Sequence, residues 1–253
     1  MKKQESNKGA GRIRINRFLA MSGVSSRRKA EELVRDRKVT VNGRPVSNLA
    51  TTVDPSRDRV TVEGKPVSPA RRHVYLVLNK PRDTITTMND ERGRKTVMDL
   101  VRTRARVYPV GRLDRNTTGV LLLTNDGEFA NRLMHPRYQI PKSYKVTCDR
   151  TVTRLQLAKL RSGVMLSGKK TAPTEVVVLP GGSGKVIGIV LHEGRNRQVR
   201  RMFETLGYEV AKLDRVAYGP VTKEGIARGG TRRLTPAELR ILREMTGMKE
   251  EWE

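Results

Sequence analysis

The longest aliphatic runs in this chain, Val120–Leu123 and Val176–Leu179, are four residues each, so its core must be assembled from short elements. A membrane-spanning helix needs roughly 20 apolar residues in succession, and a surface-lying one needs a wide apolar face beside its basic one. Aromatic residues are only 4% of the 253, which leaves the core to aliphatic side chains. The length suits one large domain or two modest ones. Against this apolar content stand 52 Lys and Arg and 26 Asp and Glu, a net charge of +26. A field of that size repels itself unless a polyanion relieves it, and with membrane set aside the implied partner is nucleic acid. Cys148 is the only cysteine, so neither an intrachain disulfide nor a cysteine-based metal cluster can form. It reads as a small buried hydrophobe on a strand. The start of the chain is polar and Lys/Gly-rich, unlike a secretory signal, and a cytoplasmic protein is expected.

The pattern along the chain suggests two bodies. Residues 1–11 hold too little apolar surface to order themselves and read as a flexible basic tail. Ile13, Ile15, Phe18 and Leu19 open an apolar pattern that Ser22-Gly23 breaks. Ser26 can cap a helix running to Arg37, with Ala30, Leu33 and Val34 on one face. That helix opens with Arg27, Arg28 and Lys29, where the helix dipole already carries positive partial charge. A bound phosphate would relieve both, whereas the plainer reading is a solvated basic turn. A local repeat follows, Val39–Ser47 and Val60–Ser68, each copy with alternating valines and a Gly-containing turn, the signature of a hairpin. Beyond it the spacing predicts strands over Tyr75–Leu78, Gly119–Thr124, Ser143–Thr147, Glu175–Leu179 and Val186–Leu191. Helices are predicted over Glu128–Met134, Thr153–Arg161 and Gln198–Leu206, with a last one capped by Thr235-Pro236-Ala237-Glu238 and stopped by Gly247. Strands mixed irregularly with helices indicate an α+β fold.

Several familiar chemistries lack their motifs. His73, His135 and His192 are too scattered for a zinc pattern, and no metal site is expected. Gly181-Gly182-Ser183-Gly184-Lys185 lacks the spacing of a phosphate-binding loop and reads as a hairpin turn. Three segments remain. In Val110–Gly127, Asp114 sits between Arg112 and Arg115 in a polar loop leading into an apolar strand. Neighbouring cations keep a carboxylate ionised, and an ionised carboxylate can act as nucleophile or base. Its bland counterpart is a salt-bridged turn aspartate. In Pro141–Val146, Tyr144 lies on a strand beside two lysines, where its ring could stack on a base or its hydroxyl move a proton. A half-buried strand tyrosine is an equal reading. In Glu193–Phe203, Val199, Met202 and Phe203 make an apolar helical stripe with Arg200 on its flank. Arg197 and Arg201 point further out and would suit phosphate contacts, or simply form a solvated face.

In this order the segments GRLDRNTTGVLLLTNDG, Lys142-Ser-Tyr-Lys145 and EGRNRQVRRMFETLGYEV resemble the RsuA/RluB-type pseudouridine synthase family, its RluB-like branch most fully. Asn79-Lys80-Pro81 and the loop Asn89–Val97 look like the family's entry strand. Residues from Arg12 to about Val67 resemble the small RNA-binding domain first described in a small-subunit ribosomal protein. The resemblance implies an α+β architecture: a small N-terminal RNA-binding module, then a mainly antiparallel mixed sheet flanked by helices with a cleft across its middle. The boundaries implied are a tail at 1–11, the module at 12–68, a linker at 69–73, the catalytic domain at 74–247 and a tail at 248–253. Carried over residue by residue, Asp114 matches the catalytic aspartate, Tyr144 the tyrosine that packs on the target base, and Arg200 the basic residue paired with the aspartate. The RNA contacts implied are Arg12, Arg14, Arg27, Arg28, Lys29, Lys80, Arg112, Arg115, Arg195, Asn196, Arg197 and Arg201. The reaction implied isomerises uridine to pseudouridine in ribosomal RNA, preferably of the large subunit, by flipping the nucleotide into the cleft, with no cofactor and no metal. The partner is ribosomal RNA or an assembly intermediate, without membrane, and the protein is expected to be a monomer.

The rivals are a non-catalytic ribosome-assembly factor, a small-subunit RNA pseudouridine synthase, and an enzyme that releases the base without rejoining it. All of them share one expectation, because phosphate contacts release counterions. RNA affinity measured by filter binding should fall steeply and linearly in log–log form as salt rises. A flat salt response would contradict this reading of the charge.

Overall fold

The computed structural model describes residues 11–70 and 72–248. The tail expected at 1–11 lies outside them except for Gly11, as do Arg71 of the expected linker and all of the 248–253 tail but Met248. The chain divides into two compact units, Met1–His73 and Val74–Glu253.

In the first unit, helices Ile15–Met21 and Arg27–Arg35 accompany a four-stranded antiparallel sheet ordered Arg44–Pro45, Val39–Val41, Val60–Val62, Lys65–Val67. The sequence repeat is a repeated hairpin. Its two-residue turns, Asn42-Gly43 and Glu63-Gly64, hold all four residues at positive φ, between 50° and 81°. That is the turn whose twist matches a right-handed strand pair. Ile15, Phe18, Leu19, Ala30 and Val34 from the helices close over Val39, Val53 and Val60. Ser26 caps the second helix by accepting from the Lys29 N–H, as its position suggested.

The second unit is a nine-stranded sheet. Its main path runs Glu175–Val178, Val186–Leu191, Lys142–Cys148, Val210–Tyr218, Thr118–Thr124, Tyr75–Lys80, Thr231–Arg233, and two short strands pair off that path. Every pairing is antiparallel except Val210–Tyr218 with Thr118–Thr124. The run Val120–Leu123 is buried on both faces, which is why it reads as continuous rather than alternating. Val120 and Leu122 join Val77, Phe129, Leu133 and Leu242 on one face. Leu121 and Leu123 join Leu76, Leu78 and Val107 on the other. Further along the sheet, Val146, Ile189 and Leu213 meet Leu157, Leu160, Met202 and Phe203 of the helices Arg154–Ser162 and Gln198–Thr205. Tyr144 packs against both of these last two clusters. Gly181–Gly184 turns the chain between two antiparallel strands, as a hairpin loop should.

The sequence pattern did not mark Val210–Tyr218 as a strand, yet it is the centre of the sheet. Its burial follows no two-residue alternation, and Lys212, Asp214 and Arg215 interrupt its apolar positions. Register shifts opposite Ser143/Tyr144 and Thr147/Cys148 further blur the period. The parallel contact beside it depends on Gly119. At φ +106°, a Cβ there would stand 2.1 Å from the Arg215 carbonyl oxygen. Gly119→Ala should therefore cost about 3 kcal/mol or more. A thermal melt should show a fall of roughly 10 °C; a melting point within about 2 °C of wild type would mean that this approach is not tight.

Candidate active site

The loop carrying Asp114 is held from inside. Strand Tyr75–Lys80 ends on Lys80, which is 0% exposed. Its Nζ donates to the carbonyl oxygens of Pro81 (3.1 Å), Asp114 (3.1 Å), Arg115 (3.1 Å) and Thr117 (2.9 Å). An ammonium offers three protons, so one is shared among these acceptors, and a neutral amine would leave more of them unmet. Burial pulls Lys80 down to about 8, against the charges of Asp114 and Asp83, which pull it up. The four carbonyls also favour the protonated form. A side chain so enclosed cannot meet a phosphate, which corrects the expectation that Lys80 contacts RNA. Its role is to converge the loop's backbone on one charge.

Two further ties complete the loop. The Thr86 hydroxyl donates to the Leu113 carbonyl at 2.7 Å and accepts from the Leu113 N–H at 3.2 Å. The Thr117 N–H closes a turn onto the Asp114 carbonyl at 3.0 Å. Both flanks of Asp114 are thus fixed, while its side chain is half-exposed. Arg115 pairs with Asp83, so its cation is directed to that carboxylate. Arg112 is exposed. A cleft opens here, lined among others by Arg112, Asp114, Thr117, Tyr144, Leu191 and Arg197.

Tyr144 enters from strand Lys142–Cys148, packs against two core clusters and lines the cleft. Arg200 is not in the cleft wall. Its Nη1 donates to the Val210 carbonyl at 2.7 Å, which anchors helix Gln198–Thr205 to the central strand. Burial and the Arg197 charge hold its acidity above the usual arginine range, and the Asp114 charge counters them. Asp114 and Arg200 therefore interact electrostatically, without a hydrogen bond between them.

The loop before that helix is folded on its own polar side chains. Glu193 accepts from Gln198 Nε2 (2.6 Å), Arg195 Nε (3.2 Å) and the Ala172 N–H (3.3 Å). The outer nitrogens of Arg195 donate to the Lys169 and Lys170 carbonyls, at 3.1 and 2.9 Å. Arg195 lines the cleft, and each of its three guanidinium nitrogens also donates a hydrogen bond within the fold. Arg197 caps the helix in a left-handed conformation (φ 47°), exposed and 3.4 Å from Glu204. Asn196 is exposed, and Arg201 donates to the Ser167 hydroxyl at 2.5 Å. In the N-terminal unit, Arg14, Arg27, Arg28 and Lys29 are exposed, the last three on the first turn of their helix. Arg12 is exposed too, and donates to the hydroxyl (3.1 Å) and carbonyl (2.7 Å) of Thr52.

Sequence reasoning missed a group of polar contacts along the central strand. Arg215, only 4% exposed, lies opposite both Tyr144 and Gly119 in the sheet. Its Nε donates to the Val120 carbonyl at 2.7 Å, and its guanidinium stands 5.2 Å from the Tyr218 ring centre. Lys142 lies 5.5 Å from the same ring, and burial together with Arg215 pulls it down to about 8. Asp214 accepts from Thr118 at 2.5 Å and pairs with Lys223 and Arg228, and Arg228 reaches Asn79 at 2.8 Å. No local spacing announces the contacts of Arg215 with Val120, Lys142 with Tyr218, Asp214 with Thr118 or Arg228 with Asn79, since each joins segments distant in sequence.

Comparison with known proteins agrees with this geometry. The model of the RNA pseudouridylate synthase family matches residues 74–205, and that of the S4 domain matches 13–58. Ribosomal large subunit pseudouridine synthase B of Bacillus subtilis is 46% identical over 234 residues, which is 91% of this chain and 95% of that protein. An RNA pseudouridine synthase of Aquifex aeolicus is 41% identical over 240 residues, 94% of this chain and 96% of that one. A crystal structure of a pseudouridylate synthase superimposes with a TM-score of 0.67 at 28% identity, covering 91% of this chain and 99% of the other.

Lys80→Met would leave four carbonyls without their donor, a loss of about 3 kcal/mol or more. The melting temperature should fall by roughly 6–12 °C. Lys80→Arg should not restore it, because a planar fork cannot converge on four oxygens. Wild-type melting of the methionine variant would remove Lys80 from this role.

Proposed function

Because this chain belongs to the RNA pseudouridylate synthase family and carries an S4 domain, we propose that it isomerises a specific uridine of large-subunit ribosomal RNA to pseudouridine, with Asp114 as the catalytic carboxylate. The observation that carries the reading is the convergence of Asp114 and Tyr144 on one cleft, with Asp114 on a loop pinned by a buried cation.

The chemistry sets the demands. The bond from the sugar's carbon 1′ to uracil nitrogen 1 breaks, and a bond from the same carbon to uracil carbon 5 forms. The proton leaving carbon 5 is balanced by one gained at nitrogen 1, so neither oxidant nor second substrate enters. The glycosidic bond is inaccessible in a stacked helix, and the nucleotide must be flipped into the cleft. Asp114 assists the departure of uracil or attacks the sugar carbon. A pre-fixed carboxylate is worth more here than a mobile one, because its ordering is complete before the reaction begins. Tyr144 forms the wall against which detached uracil turns and is the candidate to take the carbon 5 proton. Arg200 supplies positive charge near Asp114 while holding its helix on the central strand. The exposed Arg27, Arg28 and Lys29 are the proposed phosphate contacts of the S4 domain, with Arg112, Arg197 and Asn196 beside the cleft. The protein is proposed to act in the cytoplasm as a monomer; no helix of the described residues is long and apolar enough to cross a membrane.

The test is a pseudouridine-specific chemical map of ribosomal RNA, from cells lacking the endogenous enzyme, treated with wild-type protein or Asp114→Ala. One new site in large-subunit RNA, absent with the variant, is expected. A new site in small-subunit RNA would move the substrate. No site on free RNA or on immature subunits would favour the assembly factor, and free uracil with an abasic position would favour a glycosidase.

A further inference from the structure

We infer that the Thr117 hydroxyl positions the Asp114 carboxylate by donating a hydrogen bond to it once uridine fills the cleft, an assignment that rests on the catalytic reading of Asp114. Thr117 is 2% exposed, and its Oγ1 is buried without a hydrogen-bond partner. Four other buried side-chain atoms among the described residues share that condition, on Asn16, Gln156, Arg215 and Arg243, and none of those residues lines the cleft. The backbone of Thr117 is fully engaged. Its N–H binds the Asp114 carbonyl at 3.0 Å and its carbonyl accepts from Lys80 at 2.9 Å. Only the hydroxyl is left over.

A buried hydroxyl without a partner destabilises a fold, so its retention in a catalytic wall calls for a compensating use. A fitting partner in the same turn is Asp114. A hydrogen-bonded turn brings its first and fourth residues within about 7 Å at Cα, close enough for side-chain rotation alone to join the two groups. Their chemistry is complementary, since the hydroxyl has one proton to give and an ionised carboxylate only accepts. Two other polar side chains of the wall are already matched: Glu193 binds Gln198, and Arg195 binds Glu193 and two carbonyls. When the nucleotide seats against Tyr144 and displaces water, the carboxylate loses its solvent donors, and Thr117, held in the same turn, has a proton to give in their place. Thr117 then acts through Asp114 as a positioning residue, fixing one carboxylate oxygen so that the other faces the sugar.

The test compares Thr117→Val, which keeps the shape and removes the proton, with Thr117→Ser, which keeps the hydroxyl. Pseudouridine formation is followed on the RNA that the wild-type protein modifies, alongside thermal melts and an Asp114→Asn control. The valine variant should lose about tenfold to hundredfold in kcat, the worth of a hydrogen bond to a charged group, with KM unchanged. Serine should recover most of that loss. The valine variant should also melt at or above the wild-type temperature, since it removes an unmatched polar atom. Three results would overturn the assignment: wild-type kcat in the valine variant, a serine variant as impaired as valine, or a kcat loss accompanied by a lower melting point. The last would mean that the hydroxyl already supports the fold. Failure of the wild-type protein to form any pseudouridine would instead defeat the reading of Asp114 itself, and this inference with it.

Discussion

A buried ammonium surrounded by four backbone carbonyls organises the catalytic unit. Lys80 stands at the end of one strand, and three of the four oxygens belong to the loop that opens another. Carbonyl dipoles that would otherwise repel one another share a single positive centre, and that attraction gives an irregular loop the stiffness of regular structure. The loop can therefore carry a half-exposed carboxylate without collapsing around it. Thr86, clasping Leu113 on the other flank, extends the same principle with a neutral donor and acceptor.

The second constraint is the sheet's parallel pairing. Strand Val210–Tyr218 must lie against Gly119 for Asp114's loop and Tyr144's strand to face one cleft. The absence of a side chain at Gly119 lets the two backbones approach, and the bulges in the partner strand turn its side chains where strict alternation would not. Tyr144 then bridges two clusters of the core while it lines the cleft. Helix Gln198–Thr205 is secured to the same strand through Arg200. The central strand thus connects the elements that carry Asp114, Tyr144 and Arg200.

The cations divide into two populations. Some, such as Arg27, Arg28 and Lys29, remain exposed and are available to phosphate. Others are structural. Lys80 and Arg195 donate to loop carbonyls, and Arg215 is buried against Tyr218. A net charge counts both populations alike, so it points to the class of partner and does not say which cations face solvent. Charge type is written in the sequence; whether a side chain faces solvent or carbonyls depends on the packing around it.

Local signals determined a good deal. The paired Asn-Gly and Glu-Gly turns, the Ser26 and Thr235 caps and the doubly buried Val120–Leu123 run were legible because each rests on interactions within a few residues. The α+β class, the S4 module and the family followed from them and from motifs read in order. Tertiary structure alone decided that Val210–Tyr218 is the central strand, that Lys80 faces inward, that Arg200 reaches a carbonyl rather than the cleft, and that the Thr117 hydroxyl has no partner. The reason is physical. These facts depend on hydrogen bonds and close approaches between segments tens of residues apart in sequence, and a short window of residue types carries no record of which distant backbone will stand beside it.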